Sequence, residues 1–152
     1  TDAEWEYAAR SGTQYDFWTP DGGGNYSVQA CNGTETILDG VNDPPLRNYA
    51  WYCGNSNNQY GADGSKPVGQ KLPNDFGLYD MHGNVYEWTA DWHTCNYPQS
   101  STDPYCGTQG AYRIVRGAGW GYQPNKIGAS SRVGGDPLDR NVYFGFRLGR
   151  HP

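Results

Sequence analysis

The segment FGLYDMHGNVYEWTADW, from Phe76 to Trp92, constrains this chain more than any other. It crowds aromatic rings, the acids Asp80, Glu87 and Asp91, a histidine and two glycines into one short stretch. Ordinary core helices and strands do not read like this. The rings and apolar residues can anchor the segment in a core. The acids and the Gly83-Asn84 pair leave polar oxygens that need a partner once buried, and a metal ion is the obvious candidate.

A chain of 152 residues suits one domain. A mean hydropathy of -0.87 leans toward disorder by itself. The 6 Trp and 13 Tyr reverse that reading, because disordered chains are poor in aromatics. The 22 Gly and 10 Pro demand frequent turns. The result is a folded, loop-rich domain whose core is carried by large rings. The net charge is -5 with no basic run, which argues against nucleic acid as partner. No stretch reaches the roughly 18 apolar residues of a membrane span.

Four cysteines allow three pairings. Sequence neighbourhood favours Cys31–Cys53 and Cys95–Cys106, each closing a polar, turn-rich loop. The absence of a C-x-x-C spacing disfavours structural zinc. Paired cysteines favour an extracytoplasmic or cell-surface location. The triplets starting at Asn25 and Asn32 are sequons, relevant only in a glycosylating host.

Along the chain, Thr1 to Glu4 is a capping box before Trp5, Ala8 and Ala9, which share one helical face. This predicts a helix to about Arg10, ended by Ser11-Gly12. Loops with one short strand at most follow to about Leu46. The stretch Asn48 to Cys53 reads as buried. Leu78 to Trp92 reads as a turn followed by a short helix or irregular segment. Ala111 to Gly117 alternates and is β-rich, so it is a strand. Gly119 to Gly121 reads as a tight turn and Lys126 to Val133 as a strand. Tyr143 to Leu148 reads as a final strand with Phe144, Phe146 and Leu148 on one face.

Four motifs then line up in order. TDAEWEYAARSG from Thr1, NDFGLYDMHGNVYEWTADW from Asn74, VRGAGW from Val115 and GFRL from Gly145 together resemble the formylglycine-generating enzyme, or sulfatase-modifying factor, family. The resemblance implies a single domain over residues 1–152, an irregular, loop-rich α+β variant of the C-type lectin fold. It also implies that an N-terminal portion of the domain is missing. Catalytic members of the family bind copper(I) through a cysteine pair shortly after the third motif, and soft thiolates suit that ion. The corresponding stretch, Gly119 to Arg132, has no cysteine, nor does anything after Cys106. The resemblance therefore comes with an expectation of no copper and no classical activity.

Calcium is the cofactor the resemblance still implies, in a structural role. Its ligands would be the Asp80 and Glu87 side chains and the Gly83 and Val85 carbonyls, a hard-oxygen set suited to Ca²⁺. The alternative is that Asp80 and Glu87 only cap backbone amides. A second family calcium site would fall within Asn48 to Asp63, where the spacing does not match. His82 and His93 read as satisfied or exposed histidines rather than ligands. Arg116, Arg132 and Arg147 read as partners of motif carboxylates such as Asp91, with an anion pocket as the alternative. A Ser130-His82-Asp91 triad can be composed only without its usual strand-turn-helix context.

Lectin-fold relatives also serve as the diversified proteins of diversity-generating retroelements, with the variable stretch just before Gly-Phe-Arg. In this chain that stretch spans residues 119–144. Tyr122, Gln123, Asn125, Lys126, Asp139, Asn141 and Tyr143 are its candidate binding residues, toward a protein or small-molecule ligand. The functional expectation is a non-catalytic binding module. The alternatives are an oxidoreductase of the family using a different centre or a domain outside this chain, and an accessory domain of a larger protein.

Overall fold

In a computed structural model, residues 1–20, 23–24, 31, 46–56, 64–96 and 102–149 are described. Both sequons lie outside them, as does the 57–63 part of the mismatched second calcium region.

Helix α1 spans Asp2–Arg10, and the capping box is formed in full. The Thr1 hydroxyl accepts the Glu4 N–H, and the Glu4 side chain reaches back to the cap. Ser11 ends the helix at φ 46°, in the left-handed region. Trp5 and Ala9 are buried, packed with Met81 and Ala129.

Four short strands make the sheet: β1 (Tyr86–Trp92), β2 (Arg113–Arg116), β3 (Val133–Gly135) and β4 (Phe144–Gly145). Their order is β3-β2-β1-β4. β1 runs antiparallel to β2, β2 antiparallel to β3, and β4 parallel to β1. The register pairs Glu87 with Arg116 and Tyr86 with Phe144. An irregularity between Trp88 and Trp92 distorts β1. The α+β, loop-rich class expected from the sequence is the class observed.

The main core lies on the sheet face carrying Tyr86 and Val115, together with Phe17, Leu46, Tyr52 and Ile127. Rings dominate it: Trp88 meets Phe144 at 4.9 Å and Tyr86 meets Tyr122 edge-on at 5.2 Å. The disulfides Cys31–Cys53 and Cys95–Cys106 both form.

Three local expectations need correction. Tyr86 to Trp92 is a strand, not a helix or irregular segment. Lys126 to Val133 is mostly not strand: a 3-10 turn occupies Pro124–Lys126 and β3 begins only at Val133. Proline at the first position of that turn withholds a ladder donor and favours the helical start. The final strand ends at Gly145, so Phe146 and Leu148 are 76% and 87% exposed instead of sharing the core with Phe144.

Candidate functional site

The turn before β1 is built from left-handed residues. Asp80, Gly83 and Asn84 have φ of 56°, 78° and 61°. Glycine is required at 83, because a Cβ there would lie 2.0 Å from the Trp51 carbonyl oxygen. The backbones meet because Gly83 bridges Trp51 and the Asn84 N–H donates to the Trp51 carbonyl at 2.9 Å. The Asn84 amide, buried itself, accepts the Lys66 N–H at 2.9 Å and donates to the Lys66 carbonyl at 3.2 Å. The motif thus staples a neighbouring loop by mimicking a strand partner.

Asp80 is buried in this turn. Its Oδ2 accepts the Gly69 N–H at 2.8 Å, while Oδ1 has no hydrogen-bond partner. Asp80, Asn84, Val85 and Glu87 line a cleft of about 420 Å³, walled by Val68 and Phe146. Glu87 is differently placed. Its carboxylate accepts the Trp5 indole N–H at 2.7 Å and two donors of Arg147, at 2.9 and 2.7 Å. Asp80 therefore fits a cation, since a buried carboxylate oxygen without a donor calls for one. Glu87 in this arrangement is already neutralised by a guanidinium. Gly83 and Val85 flank the two acids in the chain, and the Gly83 N–H is spent on the Gly117 carbonyl at 2.7 Å. Among the described residues, no group of three or more His, Cys, Asp and Glu side chains converges as a metal centre.

His82 is buried between the two halves of the core. Its ring lies 4.9 Å from Phe17, and Nδ1 is 2.9 Å from the Ile127 carbonyl. Burial pushes its pKa down to about 4, partly opposed by that carbonyl. His82 is the neutral structural histidine, with Nδ1–H donating; His93 is exposed. Lys71 stacks 3.7 Å over the Trp51 ring and donates to the Arg47 carbonyl at 2.6 Å. Its pKa is lowered by partial burial and by Arg47, against an opposing pull from Asp80.

All three arginines pair with carboxylates, but not with Asp91. Fully buried Arg116 lies 3.0 Å from Asp2 Oδ1 and 2.5 Å from Glu6 Oε2, and donates to the Ser131 carbonyl at 2.7 Å. Arg132 takes the other Asp2 oxygen at 2.8 Å, and Arg147 takes Glu87. Asp91 instead accepts two backbone N–H groups, from Asp2 at 2.7 Å and Cys106 at 2.8 Å. It ties the start of α1 to the disulfide loop. Asp2, the hub of these ion pairs, carries no distinguishing sequence signal, because an acid just after an N-cap is commonplace. The role of Trp5 as donor to Glu87 was equally silent; only its place on the apolar helical face was readable.

The structure divides the candidate binding residues of 119–144. Tyr122 and Tyr143 meet edge-on at 5.5 Å, and Tyr143 stacks on Trp120 at 5.1 Å. Both tyrosines are half-buried and pack against the core. Gln123 is half-buried just before the 3-10 turn, while Asn125 and Lys126 are exposed on it. Asp139 and Asn141 are exposed, and Asn141 accepts the Tyr143 N–H at 2.9 Å. The stretch 120–131 is held from below through its main chain. Trp120 N–H donates to Asn84, Cys53 N–H to Tyr122, and Ala129 N–H to Asp16, each to a carbonyl at 2.8–3.1 Å. The Ser56 hydroxyl adds a bond to the Trp120 carbonyl at 2.8 Å. Ser130, His82 and Asp91 form no relay: His82 and Asp91 are engaged with main-chain groups as described.

With this geometry in view, the comparisons give one family. The chain belongs to the sulfatase-modifying factor enzyme 1-like domain family, whose description matches residues 1–152. Treponema denticola variable protein 1 is a similar solved structure, 32% identical with a TM-score of 0.69, covering 96% of this chain and 44% of that one. PvdO from Pseudomonas aeruginosa is 31% identical with a TM-score of 0.70, covering 96% of this chain and 49% of that one. The formylglycine-generating enzyme of Thermomonospora curvata is 29% identical over 166 residues, covering 100% of this chain and 48% of that protein. The chain thus spans about half the length of these relatives. No described helix is long and apolar enough to cross a membrane.

Proposed function

We propose that this chain is a non-catalytic binding module on the formylglycine-generating-enzyme scaffold, recognising a protein or small-molecule ligand through residues 119–144. One observation carries the reading. No cysteine follows Cys106, and all four cysteines are joined in disulfides, so no thiolate pair is available to hold copper(I). The similarity to a solved protein named a variable protein supports the placement of the recognition face. Exposed Asn125, Lys126, Asp139 and Asn141 beside half-buried tyrosines make a recognition surface of adaptable polar groups around rigid rings. Retroelement diversification of this face predicts alleles that differ only within residues 119–144. The two disulfides support an oxidising, extracytoplasmic setting.

The competing reading, an oxidoreductase using another centre or a further domain, draws on the formylglycine-generating enzyme relative. Copper(I) titration against a chromogenic chelator, with a cysteine-peptide oxidation assay, separates the two. The binding-module reading expects neither copper uptake nor peptide oxidation by the purified protein, and either result ends it.

Structural calcium belongs to the same proposal, with Asp80, Gly83, Val85 and Glu87 as ligands. The unpartnered Asp80 Oδ1 supports it, whereas Glu87 must loosen its hold on Arg147 to take part. Calcium at about 100 times its Kd should then stabilise the fold by about 2.7 kcal/mol. Asp80→Asn should weaken this effect and Arg147→Ala should tighten calcium binding. Thermal melts insensitive to calcium and to chelator refute the assignment.

A further inference from the structure

The sheet leaves one edge open, and a cleft lies along it. β4 pairs with β1 only at Tyr86 and Glu87, so from Trp88 to Ala90 no described strand lies on that side. At this point a cleft of about 390 Å³ opens between β1, helix α1 and the chain that continues from β4. Trp5 and Ala8 wall it from the helix, Trp88 from the strand, Met81 from below and Leu148 from the continuing chain. Leu148 is 87% exposed, and the neighbouring Phe146 is 76% exposed.

Two properties say what fits. An open strand edge presents main-chain donors and acceptors at strand spacing, which an extended peptide satisfies and a compact small molecule does not. The charge at the cleft is negative: Glu87 is balanced by Arg147, while the Glu4 side chain stands 61% exposed at the rim of a chain of net charge -5. We propose that this cleft binds an extended peptide segment of a partner polypeptide, which adds a strand beside Trp88–Ala90, buries apolar side chains against Trp5, Trp88 and Leu148, and places a basic residue near Glu4. The site is separate from residues 119–144 and does not depend on what that face binds.

The test uses the intact, disulfide-bonded chain and a short probe peptide of alternating valine and threonine with an N-terminal lysine. Binding is read by fluorescence anisotropy and by NMR shift mapping. The expected result is saturable binding, with shifts centred on α1, Trp88–Ala90 and Arg147–Gly149. An N-methylated probe lacking the central amide hydrogens should bind about tenfold more weakly, because strand addition rests on main-chain bonds. Leu148→Asp, an exposed change with no folding role, should give a similar loss. Glu4→Gln, which keeps the capping box, should reduce the preference for lysine over a glutamate-capped probe. No saturable binding, equal binding of the N-methylated probe, or shifts confined to residues 119–144 overturns the proposal. Self-association through the same edge also overturns it, because the occupant is then a second copy.

Discussion

Replacing Arg116 by alanine probes the part of the fold that sequence spacing least reveals. The guanidinium is fully buried, with Asp2 at 3.0 Å, Glu6 at 2.5 Å and the Ser131 carbonyl at 2.7 Å. The Trp5 ring lies 5.1 Å away. Truncation strands buried Asp2 and partly buried Glu6 without their shared cation. Breaking a buried pair from one side costs about 3–5 kcal/mol. Arg132 still holds the second Asp2 oxygen at 2.8 Å, so the low end, about 3 kcal/mol, is expected. For a domain of this size that lowers Tm by roughly 6–12 °C. Thermal melts followed by circular dichroism at constant pH measure it, with Arg116→Met as companion. The methionine keeps most of the volume, so a loss as large as alanine's assigns the effect to the stranded acids. A loss under about 1 kcal/mol for alanine refutes the view that Asp2, Glu6 and Arg116 act as one buried unit.

Two further outcomes follow from the same geometry. His82 is neutral when folded, with a pKa near 4 against 6.5 in the unfolded chain. The unfolded state therefore binds the extra proton between these values. Stability is full above about pH 6.5 and falls toward pH 4, by an upper bound of about 3 kcal/mol. His82→Gln should flatten that slope in urea melts taken across the range; an unchanged slope rules out His82 as its source. Gly83→Ala should cost more than about 1 kcal/mol, because its φ of 78° and the Trp51 carbonyl oxygen 2.0 Å from an added Cβ both oppose a side chain. Urea unfolding indistinguishable from the parent chain would show that the turn relaxes freely.

Local signals were readable wherever a single short-range rule governed them. The capping box at Thr1–Glu4 and the β-rich alternation before Gly117 each became the expected element. The segment Tyr86–Trp92 misled because both faces of β1 are covered. Glu87 and Asp91 are buried acids on the helix side, satisfied by Trp5, Arg147 and backbone N–H groups, so polar residues stand where a strand normally shows apolar ones. The period was present but inverted in polarity. The arginine partners were illegible for a different reason. Arg116 reaches Glu6 across 110 residues of sequence and Arg132 reaches Asp2 across 130, and no spacing rule carries that far. In the candidate site, the motif located Asp80 and Glu87 correctly in one cleft, but it gave no sign that Arg147 already occupies Glu87.

The manner in which residues 120–131 are held has a consequence for inheritance. Asn84, Asp16 and Cys53 grip this stretch through peptide groups that every residue but proline possesses in full, with Ser56 doing the same from its hydroxyl. The anchoring is blind to what the exposed side chains at 125 and 126 are. A lineage can therefore rewrite those letters repeatedly while the platform beneath keeps its shape, and selection on recognition is uncoupled from selection on folding.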